Sequence, residues 1–470
     1  MHNWSGGFYM ITVIEMSEIF DLSKNEMIQQ KFDKVIGAID VTIIIKNRCL
    51  DLSKLYNLCK STCKNTHLIG TIDELVGNGE AIDSISKAEK IGLISHTSTQ
   101  DDADEVLGYI SFLLFMRNAR SEIEGATNDY FDKLLHDASG NQFIVDALSL
   151  LNEQNKGGKR VRGAMIKLGE QIASLGRSNN YIPIAMGYEL FSTSILVHDD
   201  IVDKSDTRRG RPTIHCATFE DNKKSGMTDS TAEHLGISNA VCIGDYGYFI
   251  ANQIITDAKL DSSILLEVFK LFSKIQSNTS EGEIMDVFLP YKNISISDNY
   301  DEYVKTVKQI YEYKTAWYTL AGPIMLGAIC GEADNDLLEI LKKIAIPLGI
   351  AYQVKDDLLG IFSSDEILGK PILSDIKEKK QTLMYGYAYK NADENDRTLL
   401  DSCYGNENVN MCGLNVVRDI FVKTGAKKFA EDEIARLSKI SKNFIESSSM
   451  EKEYKSLLSG LLVYLTLREY

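Results

Sequence analysis

From about Ala119 to the C-terminus the chain repeats one pattern, in which apolar residues recur every three or four positions with few breakers between. Six such stretches, Ile182–Val202, Ser238–Lys259, Ser262–Asp286, Tyr300–Gly331, Asp334–Leu359 and Thr424–Ser447, predict long helices. Many are apolar on more than one face, which predicts a large bundle whose central members are buried. Asp221–Ile237, with Lys223, Lys224, Ser225 and Gly226 leading a run of small polar residues, predicts a surface loop. The pattern before residue 118 is different. Phe8–Ile14 and Val41–Ile45 are short, β-branched candidate strands, and Asp51–Lys64 and Thr71–Lys90 read as helices. Ile91–Asp104 is polar and aperiodic, the pattern of a linker. The expected organisation is a small α/β extension over residues 1–117 and an all-α domain over residues 118–470.

Composition narrows the class without choosing a reaction. With 44% hydrophobic and 25% charged residues the chain reads as globular. Its formal charge of −16 argues against a nucleic-acid partner or an anionic membrane surface. The eight cysteines lack CxxC spacing, so a zinc site is not expected. The opening residues lack a signal-peptide pattern and no apolar run approaches the ~20 residues of a membrane span. The expectation is a cytoplasmic protein without stable membrane insertion.

The chemistry concentrates in acidic pairs followed by cations. On a helix Asp199 and Asp203 share one face, with Asp200 turned to the side. Two carboxylates on one face repel unless a cation bridges them, which suits a hard divalent metal. Arg208, Arg209, Gly210, Arg211 and Pro212 follow, and arginine's planar fork matches phosphate. Upstream, Gly157, Gly158, Lys159, Arg160 and Arg162 form a second flexible, cationic stretch. A second acid pair, Asp356-Asp357, precedes Gly369-Lys370-Pro371 and Lys379-Lys380. His198 and His215 read as structural helix-end histidines in preference to ligands.

In this order the motifs Gly-Gly-Lys-x-x-Arg, Asp-Asp-x-x-Asp with Arg-Arg-Gly-x-Pro-Thr, Lys314-Thr315, Gln353-x-x-Asp-Asp and Gly-Lys-Pro with Asp375 and Lys380 resemble a trans-isoprenyl diphosphate synthase, of the polyprenyl synthetase family. The likeness runs from about residue 119 onward. It implies an isoprenoid-synthase-type bundle in which isopentenyl diphosphate is condensed with an allylic diphosphate. It also implies magnesium, three ions per site, with Asp199, Asp203 and Asp356 as ligands and Asp200 and Asp357 in support. By the same resemblance Arg208, Lys314 and Lys370 grip the allylic diphosphate, and Lys159, Arg162 and Arg209 bind isopentenyl diphosphate. Gln353, Thr315, Asp375 and Lys380 complete the surroundings, and a homodimer is implied.

Three positions depart from the family pattern. Gly360 stands where the second motif usually ends in aspartate. Ser192 and Glu283 replace His or Gln, and Gln, at places implied to face isopentenyl diphosphate. Relatives that stop at fifteen carbons carry bulky aromatics at the positions of Ser194 and Ile195. Here those are small or aliphatic, with Phe191 one turn deeper, so a product of about twenty carbons is expected and Phe191→Ala should lengthen it. Two other readings stay open: a non-catalytic subunit of a heteromeric synthase, and a terpene cyclase on the same fold. The cationic Gly-Gly-Lys stretch and the Arg-Arg-Gly tail weigh against the cyclase, and the intact Asp199, Asp200 and Asp203 weigh against the subunit.

Overall fold

The computed structural model describes residues 9–14, 40–45, 100–292, 296–364 and 372–466. The chain divides into two compact units, residues 1–114 with 455–469, and residues 115–454. In the first unit, β1 (Tyr9–Ile14) pairs in parallel with β2 (Asp40–Ile45), Tyr9 opposite Asp40 and Ile14 opposite Ile45. The two β-branched segments therefore do form strands. The helices expected over Asp51–Lys64 and Thr71–Lys90 lie outside the described residues.

Helix α1 spans Gln100–Asp137. It begins inside the segment expected as a linker. Near it in the same unit runs the end of α16 (Lys452–Thr466), and Phe112 meets Tyr464 at a centroid distance of 5.5 Å. Between them in sequence come α2 (Gln142–Asn155), α3 (Val161–Ser174) and α4 (Tyr181–Val202). A hairpin of β3 (Thr207–Arg208) and β4 (Arg211–Pro212) leads to α5 (Ile214–Lys224) and α6 (Asp229–Thr256). The predicted loop over 221–237 therefore shrinks to Ser225–Thr228. Its polar residues are capping residues: the Thr228 hydroxyl accepts the backbone N–H of Thr231, and Lys223 and Lys224 close α5.

Next come α7 (Ser262–Phe288) and α8 (Tyr300–Ile310). The single helix expected from Tyr300 to Gly331 is broken into three pieces. After α8 the chain runs as a π-helix over Tyr311–Ala321, then as α9 (Gly322–Cys330). Helix α10 (Asn335–Phe362) carries the second acid pair. Its C-terminal carbonyls are capped from α14, where Arg418 donates to Ile361 O (2.6 Å) and Ser363 O (3.1 Å). The short α11 (Ser374–Lys377), α12 (Leu383–Asn391), α13 (Glu394–Cys403), α14 (Met411–Lys423) and α15 (Ala426–Ser447) complete the second unit.

Helices α4 and α6 pack antiparallel and very close. A β-carbon on Gly247 would collide with Ser194, and one on Gly244 with the His198 ring. Glycine at these two places lets the α6 backbone approach the end of α4 where the acids sit. Among the described residues no helix is long and apolar enough to cross a membrane.

Candidate active site

The first acidic wall is built by the end of α4 and the hairpin after it. Arg209 and Gly210 have positive φ (53° and 72°), the geometry that closes a two-residue turn with the right twist. The turn folds Arg208 back onto α4. Its Nε lies 2.6 Å from Asp200 Oδ1 and its Nη2 3.1 Å from Asp199 Oδ2. Asp200 is buried (2% exposed), and burial, opposed by Arg208, pushes its carboxyl up to about 6. Asp203 reaches solvent but lies in a recess crowded with acids. Loss of hydration there, then Asp199, Glu378 and Glu283, push it up to about 7 against the pull of Lys314.

The opposite half is carried by the π segment and α7. A π turn inserts an extra residue per hydrogen-bonded ring, which changes the face on which side chains emerge. Lys314 ion-pairs with Asp286 (2.7 Å) and Glu283 (2.9 Å), both on α7. Burial opposes its charge, yet Asp286, Glu283 and Asp199 together hold it well above the ordinary lysine range. Glu283 sits beside Lys314, and burial together with the charge of Asp199 raises its carboxyl. Thr315 Oγ1 donates to Gln353 Oε1 (2.6 Å), and Gln353 Nε2 donates to Asp357 Oδ1 (3.0 Å).

Asp357 is saturated by protein. Besides Gln353 it takes Lys380 (3.1 Å) on Oδ1 and the Tyr311 hydroxyl on Oδ2, while that hydroxyl accepts the backbone N–H of Leu383 (3.1 Å). It braces the site, and the half-buried Asp356 beside it is the acid of this pair left on the more accessible side. Lys380 also pairs with Asp375 (3.8 Å) and feels Asp286 and Asp356, while Lys314 feels the same Asp286 together with Asp199, so both acid motifs converge on one region. At Gly360 a β-carbon would overlap the Asp375 carboxylate. The space of the missing motif carboxylate is thus already occupied by one from another element. Lys370 lies outside the described residues.

The members of the cationic stretch around Gly157 and Gly158 differ in their placement. Gly158 lies under the Arg209 guanidinium, whose Nη1 donates to Lys156 O (3.1 Å). Burial and the neighbouring Arg160, Arg208 and Arg162 lower Arg209's pKa, the signature of cations gathered without enough counter-charge. Arg162 lies 4.1 Å from the Tyr318 ring centre and donates to Thr319 (3.4 Å). Its buried Nε has no partner. Lys159 is exposed at the loop. Arg160, by contrast, is structural: buried, bonded to Asn155 (3.0 Å) and paired with Glu189 (3.5 Å).

Ser192 is buried and accepts the Tyr318 hydroxyl (2.6 Å). Phe191, 1% exposed, sits among Tyr188, Tyr248, Phe272 and Tyr318 at centroid distances of 5.2–5.9 Å. Ser194 is buried against Gly247, and Ile195 is half-buried. Sequence reasoning missed Tyr311, Tyr318 and Tyr248. Tyr318 was within reach of it, four residues beyond Lys314, but the π register that directs it is not encoded in apolar spacing.

Among the described residues no three His, Cys, Asp or Glu side chains gather as a ready metal cage. Magnesium is commonly bound through one or two carboxylates plus water and phosphate oxygens. Asp199 and Asp203, on one helix end in a recess shared with Glu283 and Glu378, fit such an ion, with Arg208 and Lys314 the cations beside them.

The polyprenyl synthetase family profile matches residues 147–417. The geranylgeranyl diphosphate synthase of Saccharolobus solfataricus is 28% identical over 344 residues, 70% of this chain and 95% of the relative. The short chain isoprenyl diphosphate synthase of Methanocaldococcus jannaschii is 28% identical over 301 residues, 63% of this chain and 80% of the relative. The Corynebacterium glutamicum geranylgeranyl pyrophosphate synthase, solved with isoprenyl diphosphate and magnesium, superposes with a TM-score of 0.68. It is 26% identical and covers 76% of this chain and 99% of its own.

Proposed function

The chain belongs to the polyprenyl synthetase family and is an isoprenyl diphosphate synthase, and we propose that it condenses an allylic diphosphate (dimethylallyl, geranyl or farnesyl) with isopentenyl diphosphate to an all-trans product of about twenty carbons. The observation that carries this reading is the convergence of both acid motifs and two lysines, with Asp286 acting on Lys314 and Lys380 alike.

In this reading Asp199 and Asp203 from one side, and Asp356 from the other, would hold magnesium, three ions by the family resemblance. Bound there, the ions would neutralise the diphosphate as it departs from the allylic carbon. Lys314 and Arg208 bind the same group, trading carboxylate partners for phosphate oxygens, with Lys370 in the same proposed role. Arg162, Arg209 and Lys159 orient isopentenyl diphosphate so that its double bond faces the allylic carbon. Thr315 and Gln353 direct oxygen dipoles at the cationic carbon, while the aromatic interior excludes water. The departed diphosphate takes the proton that completes the new double bond.

The test is incorporation of labelled isopentenyl diphosphate with magnesium and each of the three primers, followed by sizing of the dephosphorylated products. No incorporation with any primer would sink the reading.

Acidity gives a second expectation. The carboxyls of Asp200 and Asp203 are raised to about 6 and about 7, so their protonated forms favour the folded, metal-free protein. That contribution is complete at low pH and is lost as pH rises through those values. A divalent cation reverses the preference, because it requires the ionised forms. The gain in thermal midpoint from magnesium plus inorganic diphosphate should therefore be larger at pH 8 than at pH 5.5. An equal gain at both would contradict it.

We also propose a homodimer. Val241 and Phe249 on α6, and Ile284 and Phe288 on α7, are exposed apolar side chains. Light scattering behind size exclusion should give twice the chain mass of 52.6 kDa, and Phe249→Asp should give the single-chain mass.

A further inference from the structure

The sequence sets two carboxylates on one face of α7 where the family pattern carries one. Glu283 stands in the place of a usual glutamine, and Asp286 follows three residues later, so the two project from adjacent turns. Between them they enclose the Lys314 ammonium. Its Nζ lies 2.7 Å from Asp286 Oδ2, and 2.9 and 3.1 Å from the two oxygens of Glu283. An ammonium has three protons to donate, and here three carboxylate oxygens face it. A glutamine in place of Glu283 would offer one oxygen and no charge. The backbone is pinned as well. A β-carbon on Gly282 would lie 2.7 Å from the Lys314 backbone nitrogen, so glycine is what lets the π segment meet α7 this closely. Lys314 is therefore held at both ends of its side chain.

The pair lies within the field of the first acidic wall. Asp199 acts on Glu283 and on Lys314, and Glu283 in turn acts on Asp203. In the metal-free protein the acids Asp199, Asp203, Glu283 and Asp286 outnumber Lys314 and Arg208, and Arg208 is engaged with Asp199 and Asp200. A diphosphate reaching this recess without cations would meet net negative charge and a lysine whose protons are already taken. A dication at Asp199 and Asp203 acts on the two partners in opposite senses. It attracts Glu283 and repels Lys314, which loosens their pair and frees the ammonium for phosphate oxygens.

We propose that Glu283 withholds Lys314 from diphosphate until divalent cations are bound, so that capture of the first substrate is tied to the metal more strictly than glutamine at that position would allow. The proposal rests on the synthase reading above and gives Glu283 a positioning role, exerted through Lys314. Coupling between cation and diphosphate is reciprocal. The carboxylate that weakens diphosphate binding without metal therefore makes diphosphate a stronger promoter of cation binding. Asp286 alone, one charge facing one ammonium, would leave Lys314 with protons to share with phosphate.

The test titrates inorganic diphosphate into the full chain at pH 8 by calorimetry, in EDTA and again with saturating magnesium. Glu283→Gln should bind diphosphate about tenfold more tightly than wild type in EDTA, while the two agree within about threefold in magnesium. Replacing a residue that merely supported the fold would weaken binding in both conditions. The gain should vanish in a Lys314→Gln background, where there is no ammonium to release, with Lys314→Met in its place should that variant fail to fold. An unchanged or weaker affinity of Glu283→Gln in EDTA would overturn the proposal, as would a gain that persists without Lys314. Should metal-free binding be too weak for calorimetry, the rise in thermal midpoint at high diphosphate in EDTA decides. It should be larger in Glu283→Gln than in wild type, and an equal or smaller rise overturns the proposal. These titrations need no turnover, so the two readings fail separately. A wild type that incorporates no isopentenyl diphosphate with any primer refutes the synthase reading, whereas an active synthase whose Glu283→Gln variant matches wild type in EDTA refutes this proposal alone.

Discussion

Asp199→Asn is expected to lower isopentenyl diphosphate incorporation about a thousandfold while leaving the metal-free protein at least as stable as wild type. The substitution keeps the side chain's size and removes one charge from the most crowded point of the site. Asp199 raises the carboxyls of Asp203, Asp200 and Glu283, and this repulsion is set against its attraction to Arg208 and Lys314. Removing it relieves that repulsion, at the loss of one ion pair with Arg208 that Asp200 retains at 2.6 Å. In the proposed reading, function depends on the same repulsion, because crowded carboxylates are what make a divalent cation welcome. The two measurements are incorporation rate and thermal midpoint without metal. A large fall in both would mean that Asp199 serves the fold, and an unchanged rate would remove it from the site.

The opposite behaviour of rate and stability bears on what the sequence could and could not disclose. Helices such as α4, α7 and α10 were legible because apolar spacing and length agree along each of them. The family pattern was legible for a different reason: Asp199, Arg208, Lys314 and Asp356 stand in motifs whose residue types and order mark the family. The π segment was not, since apolar positions every three or four residues suit either helix, and only packing against α7 and α10 selects the wider turn over Tyr311–Ala321. The stretch over 221–237 misled because Ser, Thr and Asp are favoured in loops and at helix starts alike, and here Thr228 acts as a cap. Glu283 and Tyr248 were out of reach for a third reason. Each meets its partners across helices, so its neighbours are set by the rotation of one helix against another and by the glycines that allow it.

Gly360→Asp, which restores the aspartate that the second motif usually carries, should destabilise the protein by about 3–5 kcal/mol, because it adds an uncompensated buried charge. Read along the chain, Gly360 is a lost carboxylate. In the fold it is the vacancy that Asp375 fills: even a bare β-carbon there would overlap the Asp375 carboxylate. The pocket already balances Asp357 and Asp375 against Lys380, at 3.1 and 3.8 Å. A third carboxylate would displace Asp375, strain the pair that braces Asp357, and disturb Asp356 one turn earlier on the same helix. Urea unfolding should show the loss, with Gly360→Ala intermediate since it brings the overlap without the charge. The decisive variant is the exchange Gly360→Asp with Asp375→Gly, which returns the pocket to two carboxylates and one lysine and should recover most of the stability. If Gly360→Asp alone proves as stable as wild type, the carboxylate of Asp375 is not held where the fold puts it. If the exchange recovers nothing, charge balance is not what makes glycine necessary, and the backbone's own close packing is.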